Sequence, residues 1–268
     1  MKLHLVSAGH YWTDAGAFFG VLPYFIWHDK VATDERQRLQ MNLNLLLVQT
    51  DGRNILVDTG IGNRLNKRRK EIYDPSPFEL PLSLEALGLK CTDITDVILT
   101  HLHFDHAGGI VSSLDGEDYL TFPGAEFHIQ KSEWHMAQNP DKLNKAAYQF
   151  DHQLSLLDRE GRLNFLDGDA EIAPGVMVRH TGGHTVGMQI VEVLNEGTPY
   201  IYAGDIIPTR FHLPLAITSS YDVSRQDSYE AKQKIYERLT SGNGYLLLDH
   251  DTQDWQLPIS EILPFISH

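Results

Sequence analysis

The chain has 268 residues, 42% of them hydrophobic, with 22 Lys and Arg against 36 Asp and Glu and a formal charge of −14. That length and apolar content can bury a substantial core, whereas the acidic balance argues against nucleic acid as a partner, since binding to a phosphate backbone rests on clustered Lys and Arg. A single cysteine, Cys91, excludes an internal disulfide framework and every Cys-rich zinc site, and no window approaches the ~18 apolar residues of a membrane span.

The first twelve residues lack the apolar stretch of a secretory signal, so a cytoplasmic protein is expected. No linker, repeat or low-complexity tract divides the chain, and residues 1–268 are read as a single domain.

In chain order, residues 16–27 (GAFFGVLPYFIW) are strongly aromatic and broken by Gly and Pro. They read either as an apolar loop overhanging a pocket, with Phe18, Phe19 and Trp27 as candidate contacts, or as a strand and its turn. Residues 41–50 and 53–58 are two strands around Asp51-Gly52, a pair that supplies the positive φ of a two-residue hairpin turn. Five basic residues within 64–73 (Arg64, Lys67, Arg68, Arg69, Lys70) read as a solvated helix face or flap, given the acidic total. The pattern predicts a short helix over 83–89 and a buried, β-branched strand over 96–100. Further helical patterns lie near 130–138, 141–158 and 226–240, with strands over 175–180, 188–193, 199–205 and 244–250. This uneven alternation predicts an α/β or α+β layered domain with reactive groups at strand ends.

The strand over 96–100 runs into THLHFDHAGG, which crowds His101, His103, Asp105 and His106 into six positions. Desolvating four such side chains without partners would cost several kcal/mol each. A divalent metal resolves the conflict, because it wants neutral imidazole nitrogens and carboxylate oxygens converging on one point. Ala107-Gly108-Gly109 is expected to let the backbone turn tightly into a following helix. One loop rarely completes a dinuclear site, so further ligands should close other strands. His184 in TGGHT, Asp205 ending IYAGD and His250 ending YLLLDH stand in such places.

Other histidines carry less. His180 and His184 have the i, i+4 spacing of a zinc-protease helix, but Gly182 and Gly183 lie between them and no glutamate follows His180. His212, in TRFHLPLA, is a candidate to face the site from the loop after Asp205. His4, His10, His28, His128, His135, His152 and His268 have no spacing argument.

H-x-H-x-D-H, the Gly-His-Thr loop, the strand ending in Gly-Asp and the final strand ending in His resemble the metallo-β-lactamase superfamily in its dinuclear hydrolase form. The likeness spans nearly the whole chain, and ILVDTG (55–60) resembles that superfamily's strand-loop element ahead of the first ligands. It implies an αββα sandwich of two mixed sheets with helices outside and the metals along one edge. It implies further that His101, His103 and His184 hold one metal, that Asp105, His106 and His250 hold the other, and that Asp205 bridges both. Asp58 would receive an imidazole N–H and fix a ligand's tautomer.

Two divalent cations roughly 3.5–4 Å apart bring the pKa of a shared water near neutrality and supply a hydroxide to attack a carbonyl or phosphoryl centre. Asp105 would orient that hydroxide and carry a proton to the leaving group. Zinc suits a thiolate-free set of His and carboxylate, and Mn, Fe and Co accept the same ligands.

Within the superfamily, LNLLLVQTDGRNILVDTG and GDIIPTRFHLPLAITSSYD look most like the group of N-acyl-homoserine lactone lactonases and methyl parathion hydrolases. That likeness implies a small-molecule lactone substrate, aryl phosphotriesters as side substrates and a homodimer. The lactonases' catalytic tyrosine would fall three residues past the bridging aspartate. Here that position is Pro208, and neither Tyr202 nor Tyr221 matches it. The alternatives are a glyoxalase II-like thioesterase, whose C-terminal helical extension is not evident, a persulfide dioxygenase with iron on the same scaffold, and a binding domain that metals merely staple. The flavodiiron pattern H-x-E-x-D is disfavoured by His103.

Overall fold

The computed structural model describes residues 1–149 and 154–266. His152, His268 and part of the predicted 141–158 helix lie outside the described residues.

Apolar side chains recur along β1 (Lys2–Asp14), which pairs antiparallel with β2 (Arg38–Thr50), its register shifting between Ser7 and His10. Between them the aromatic 16–27 segment is neither a strand nor an open loop. It forms two short helices, α1 (Ala15–Phe19) and α2 (Tyr24–Trp27), the first capped by the Asp14 carboxylate accepting from Ala17 N–H at 2.7 Å. Asp51 and Gly52 adopt φ of 47° and 76° and turn β2 into β3 (Arg53–Val57), as the dipeptide predicts.

The basic stretch forms α3 (Lys67–Tyr73), with no buried residue. The next helix, α4 (Leu80–Glu85), starts three residues before its predicted position, with Pro81 in its first turn. Then come β4 (Asp96–Ile98), α5 (Phe104–Ala107), the hairpin of β5 (Val111–Leu114) and β6 (Glu117–Leu120), β7 (Glu126–Gln130), α6 (Lys131–Gln138), α7 (Ser155–Glu160) and β8 (Leu163–Leu166). Residues 142–147 are turns rather than helix.

The remaining elements are β9 (Ala170–Ala173), β10 (Val176–His180), β11 (Gln189–Asn195), β12 (Thr198–Tyr202), α8 (Arg225–Gly242), β13 (Tyr245–Leu247), β14 (Gln256–Pro258) and α9 (Ile259–Ile262). Among the described residues no helix is long and apolar enough to cross a membrane.

One six-stranded sheet runs β1-β2-β3-β4-β7-β8 and the other β14-β13-β12-β11-β10-β9. Both are mixed: β3, β4, β7 and β8 are mutually parallel, as are β12 and β13. An apolar seam of Leu46, Val48, Val57 and Ile98 from the first sheet meets Val178, Val191, Val193 and Leu247 from the second. The outer faces are covered by helices, with α8 and α9 packing on the second sheet through Ile235, Leu239 and Ile262. This is the αββα sandwich.

Strand direction sets where the chemistry can sit. The carboxyl ends of β3 and β4 share one edge of the first sheet, and those of β12 and β13 share one edge of the second. Because β11 is antiparallel to β12, the loop from β10 to β11 opens at that same end.

The Ala-Gly-Gly step does not lead into a helix. The helix precedes it, and residues 108–110 form a 3₁₀ turn into β5. The glycines are required instead by close approach, since a Cβ on Gly108 would lie 2.1 Å from the Ile61 carbonyl oxygen and one on Gly109 2.1 Å from that of Thr59.

The opposite end of the first sheet is tied by a buried polar row. Asp96, at the start of β4, accepts from Arg53 Nε at 2.8 Å, from Thr95 Oγ1 at 2.7 Å and from His128 Nε2 at 2.9 Å. Burial opposes the Asp96 charge, but the His128 and Arg53 hydrogen bonds outweigh it and hold the carboxyl well below the usual range. A carboxyl depressed in the folded state contributes stability above its unfolded pKa of ~4 and loses it as the pH falls below that value. Asp96→Asn is expected to cost about 3 kcal/mol at pH 7, with the gap to wild type narrowing below pH ~4. Urea unfolding at pH 7 and at pH 3 measures both, and a gap independent of pH would remove the electrostatic account.

Candidate metal centre

Each sequence-predicted ligand sits on a segment leaving one sheet edge. His101 and His103 follow β4, Asp105 and His106 lie in α5, His184 is in the β10–β11 loop, and Asp205 and His250 follow β12 and β13. All are buried except Asp205, whose side chain is 12% exposed. The structure brings them together in two groups.

His101, His103, His184 and Asp205 present donor atoms that all lie within 4.8 Å of one another, and so do His106, Asp205, Asp249 and His250. Asp205 belongs to both. Its Oδ2 faces His184 Nε2 at 3.0 Å and His101 Nε2 at 3.8 Å, while its Oδ1 faces His250 Nε2 at 3.2 Å and His106 Nε2 at 3.5 Å. The two carboxylate oxygens are thus divided between the groups.

These atoms are spaced as ligands rather than as an ordinary hydrogen-bond network. His184 Nε2 stands 3.0 Å from His103 Nδ1, and His250 Nε2 3.2 Å from His106 Nε2, so ring nitrogens face ring nitrogens. A tetrahedral ion with nitrogens at ~2.05 Å separates its ligands by about 3.4 Å. His101 Nε2 and Asp205 Oδ1 are buried without a hydrogen-bond partner among the described residues, as a cation's ligands would be if the cation were taken away. The donor set fits two divalent ions.

Outer partners aim the rings. His106 Nδ1 donates to Asp58 Oδ2 at 2.9 Å, and the same carboxylate accepts from Thr100 N–H at 2.8 Å. Asp58 is fully buried and held at φ 61°, a conformation unusual for a side-chain-bearing residue. His184 Nδ1 donates to Asp222 Oδ1 at 3.0 Å, and His250 Nδ1 to the Asn42 carbonyl at 2.7 Å. In each case Nε2 is left for the centre.

Charge is distributed unevenly. Burial and the neighbouring imidazoles push His101 and His103 well below their ordinary range, so both are neutral. Burial opposes a proton on His106, His184 and His250 too, but carboxylates outweigh it. Asp205, Asp105 and Asp58 hold His106 well above its usual value, Asp205 and Asp222 carry His184 up to about 10, and Asp249 and Asp205 carry His250 up to about 9. Burial likewise opposes the Asp205 charge, yet His184 and His106 keep its carboxyl well below the ordinary range. Cations bound at those nitrogens would displace these protons, so metal binding would strengthen as the pH rises.

Asp105 stands beside His106 and His250, the two histidines with which it is expected to act. Its Oδ2 is 3.8 Å from both His106 Nε2 and His250 Nε2, at the rim of the second group, and it accepts from the Tyr11 hydroxyl at 2.6 Å. Asp249 is a further carboxylate of the second group. Neither of its oxygens has a hydrogen-bond partner among the described residues, and burial pushes its carboxyl up to about 7.

Tyr11, Phe18, Tyr73, Phe104, Leu143 and Tyr221 line a cavity of about 530 Å³ that reaches His103, Asp105, His184 and Asp205. Of the three aromatic residues predicted for the pocket, only Phe18 faces it. Phe19 and Trp27, stacked at 4.9 Å, line a separate apolar cavity with Phe211 and Leu213. His212 lies behind Phe18, its Nδ1 on Thr209 Oγ1 and its Nε2 on the Phe18 carbonyl, and burial lowers it to about 4. It is wall, not lining. His180 is exposed, its Nε2 on the Val186 carbonyl. Tyr11, Asp222, Asp249 and the buried Glu133 escaped sequence reasoning, and only Asp249, beside His250, carried a positional signal.

The family model described as the Metallo-beta-lactamase superfamily matches residues 41–264. The chain belongs to that superfamily. A probable metal-dependent hydrolase from Staphylococcus aureus is 26% identical to this superfamily member, and its crystal structure superposes with a TM-score of 0.89 over 96% of this chain and 91% of that one. An N-acyl homoserine lactonase of Bacillus cereus is 29% identical over 169 residues, 56% of this chain and 57% of the lactonase. A dizinc quorum-quenching lactonase solved with a product has 22% identity and a TM-score of 0.75 over 95% of this chain and 88% of its own, a likeness of fold.

Removing the Asp222 carboxylate should loosen the His184 ring without touching its Nε2. Asp222→Ala is expected to weaken metal binding by about 10- to 100-fold. Competition with a chelator measures this, and an unchanged affinity would show that Asp222 does not aim the ligand.

Proposed function

We propose that this protein is a metal-dependent hydrolase that cleaves an ester-like bond, with a lactone as its substrate class and aryl phosphotriesters as side substrates. The observation that carries the reading is the division of Asp205, one oxygen toward His101 and His184 and the other toward His106 and His250. In this reading His101, His103 and His184 would hold one ion, Asp105, His106 and His250 would hold the other, and Asp205 would serve both. Zinc is the first candidate, and Mn, Fe and Co suit the same donors.

Two divalent ions held there would supply a hydroxide at neutral pH and polarise the bond under attack. The chain's own groups do the rest. Asp105 takes up and returns a proton at Oδ2, where the Tyr11 hydroxyl fixes its orientation. Asp58 and Asp222 hold the rings of His106 and His184 in the tautomers that leave Nε2 free. Phe18 and Phe104 give the cavity an apolar wall that suits an acyl or aryl group, while Tyr11, Tyr73 and Tyr221 place phenols around it.

Burial and Asp105 push the Tyr11 phenol well above its ordinary range, so it remains an O–H donor. Pro208, at the position of the lactonase tyrosine, cannot supply a phenol. Any phenol that assists lactone cleavage would come from the tyrosines already in the cavity. The lactonase relative and the probable hydrolase structure support the reaction class.

A screen of lactones, aryl esters, thioesters and phosphotriesters, run beside elemental analysis, tests the proposal. Turnover is expected with lactones, lost on chelation and restored by zinc, cobalt or manganese. Absence of hydrolysis from protein carrying two equivalents of metal would end it. Asp105→Asn should lower kcat by about 100-fold or more with unfolding behaviour unchanged. Full activity in that variant would remove the proton-carrying role.

A further inference from the structure

Glu133 is a buried carboxylate, 1% exposed, in the first turn of α6, outside both donor groups. Its two oxygens accept four hydrogen bonds from three separate segments. Oε1 accepts from Leu102 N–H at 3.0 Å and from the Tyr148 hydroxyl at 3.0 Å, and Oε2 from Thr185 Oγ1 at 2.6 Å and from Gly187 N–H at 3.2 Å. Leu102 lies between His101 and His103, and Thr185 follows His184. One side chain therefore fastens together the two loops that carry all three histidines of the first group.

The fastening is close. A Cβ on Gly187 would lie 2.4 Å from both Glu133 Cβ and Glu133 N, so the His184 loop reaches α6 only because residue 187 has no side chain. The third segment adds a support for a ligand: the Tyr148 ring packs edge-on against His103 at 5.0 Å, and the Ala147 carbonyl accepts from Phe104 N–H at 3.0 Å. Burial beside Glu133 raises the Tyr148 phenol far above its ordinary range, so it stays a donor. His106 shares the His101–His103 loop, its N–H donating to the His103 carbonyl at 3.1 Å, but it has anchors of its own in Asp58 at Nδ1 and in Thr59, whose N–H and Oγ1 both donate to its carbonyl at 2.8 Å, while the His250 loop is held by bonds from Asn44 Nδ2 to the Leu248 and Asp251 carbonyls and from His250 N–H to the Pro208 carbonyl. Glu133 touches none of them.

We propose that Glu133 is the positioning residue for one metal subsite alone, fixing the geometry of His101, His103 and His184 while leaving the His106–His250 subsite to independent supports. The inference rests on the two-metal reading above. An asymmetry follows, in which one ion is held by a keyed carboxylate that can be altered without changing any ligand.

Glu133→Gln keeps the size of the side chain but offers one acceptor oxygen where two served four donors. Release of metal to a chelator, followed in protein loaded with two equivalents of zinc, is expected to split into two phases. One ion should leave about 10- to 100-fold faster than from wild type and the other within about threefold of it. His184→Ala supplies the reference for a lost first subsite, and His250→Ala for a lost second. If Glu133→Gln does not fold, Thr185→Val and Tyr148→Phe each remove one bond and should give the same one-sided acceleration at about 3- to 10-fold. Acceleration of both ions alike, or of neither, overturns the inference while the two-metal reading stands. Wild-type protein unable to take up two equivalents overturns both.

Discussion

A single shared negative charge organises this molecule. Asp205 is largely buried against four imidazoles, and its two oxygens divide them into two sets. Buried alone, a carboxylate would be driven toward its neutral form. Here it stays ionised because His184 and His106 surround it, and they in turn hold protons because it is there. Such mutual dependence is costly to assemble unless cations take the protons' place, and the facing nitrogen pairs leave room for them.

The sandwich exists to deliver those groups to one edge. Parallel strands in each sheet end at the same side, so His101, His106, Asp205 and His250 arrive on loops beyond carboxyl ends. The antiparallel β10–β11 connection adds His184 from the same direction. The other end of the first sheet carries Arg53, Asp96 and His128, where polar groups are satisfied among themselves. One end is closed by its own ion pair, while the other gathers imidazoles and carboxylates around a shared centre.

Legibility in the sequence followed the distance over which information was needed. H-x-H-x-D-H was readable because its members are neighbours, and His184, Asp205 and His250 because each follows a strand-like run. The hairpin at Asp51-Gly52 was readable because two adjacent residues set its φ angles. By contrast, β1 carries a register shift at Ser7–His10 that breaks the alternation a strand would show, and the 16–27 segment mixes aromatic side chains with Gly and Pro in a way that favours no single period. Tyr11, Asp222 and Glu133 act on partners 94, 38 and up to 54 residues away, so nothing near them announces their contacts. The glycines at 108 and 109 answer to the close approach of a neighbouring loop rather than to a following helix.

The apolar seam between the sheets, Leu46 and Val57 against Val178 and Val191, is non-directional, and nothing in it fixes how the two layers align at their rim. The candidate ligands come from both layers, His101, His103 and His106 from one and His184, Asp205 and His250 from the other. Bound ions would then act as a cross-link between halves of the chain as well as reagents. With such ions bound, the melting temperature would become a function of free metal concentration.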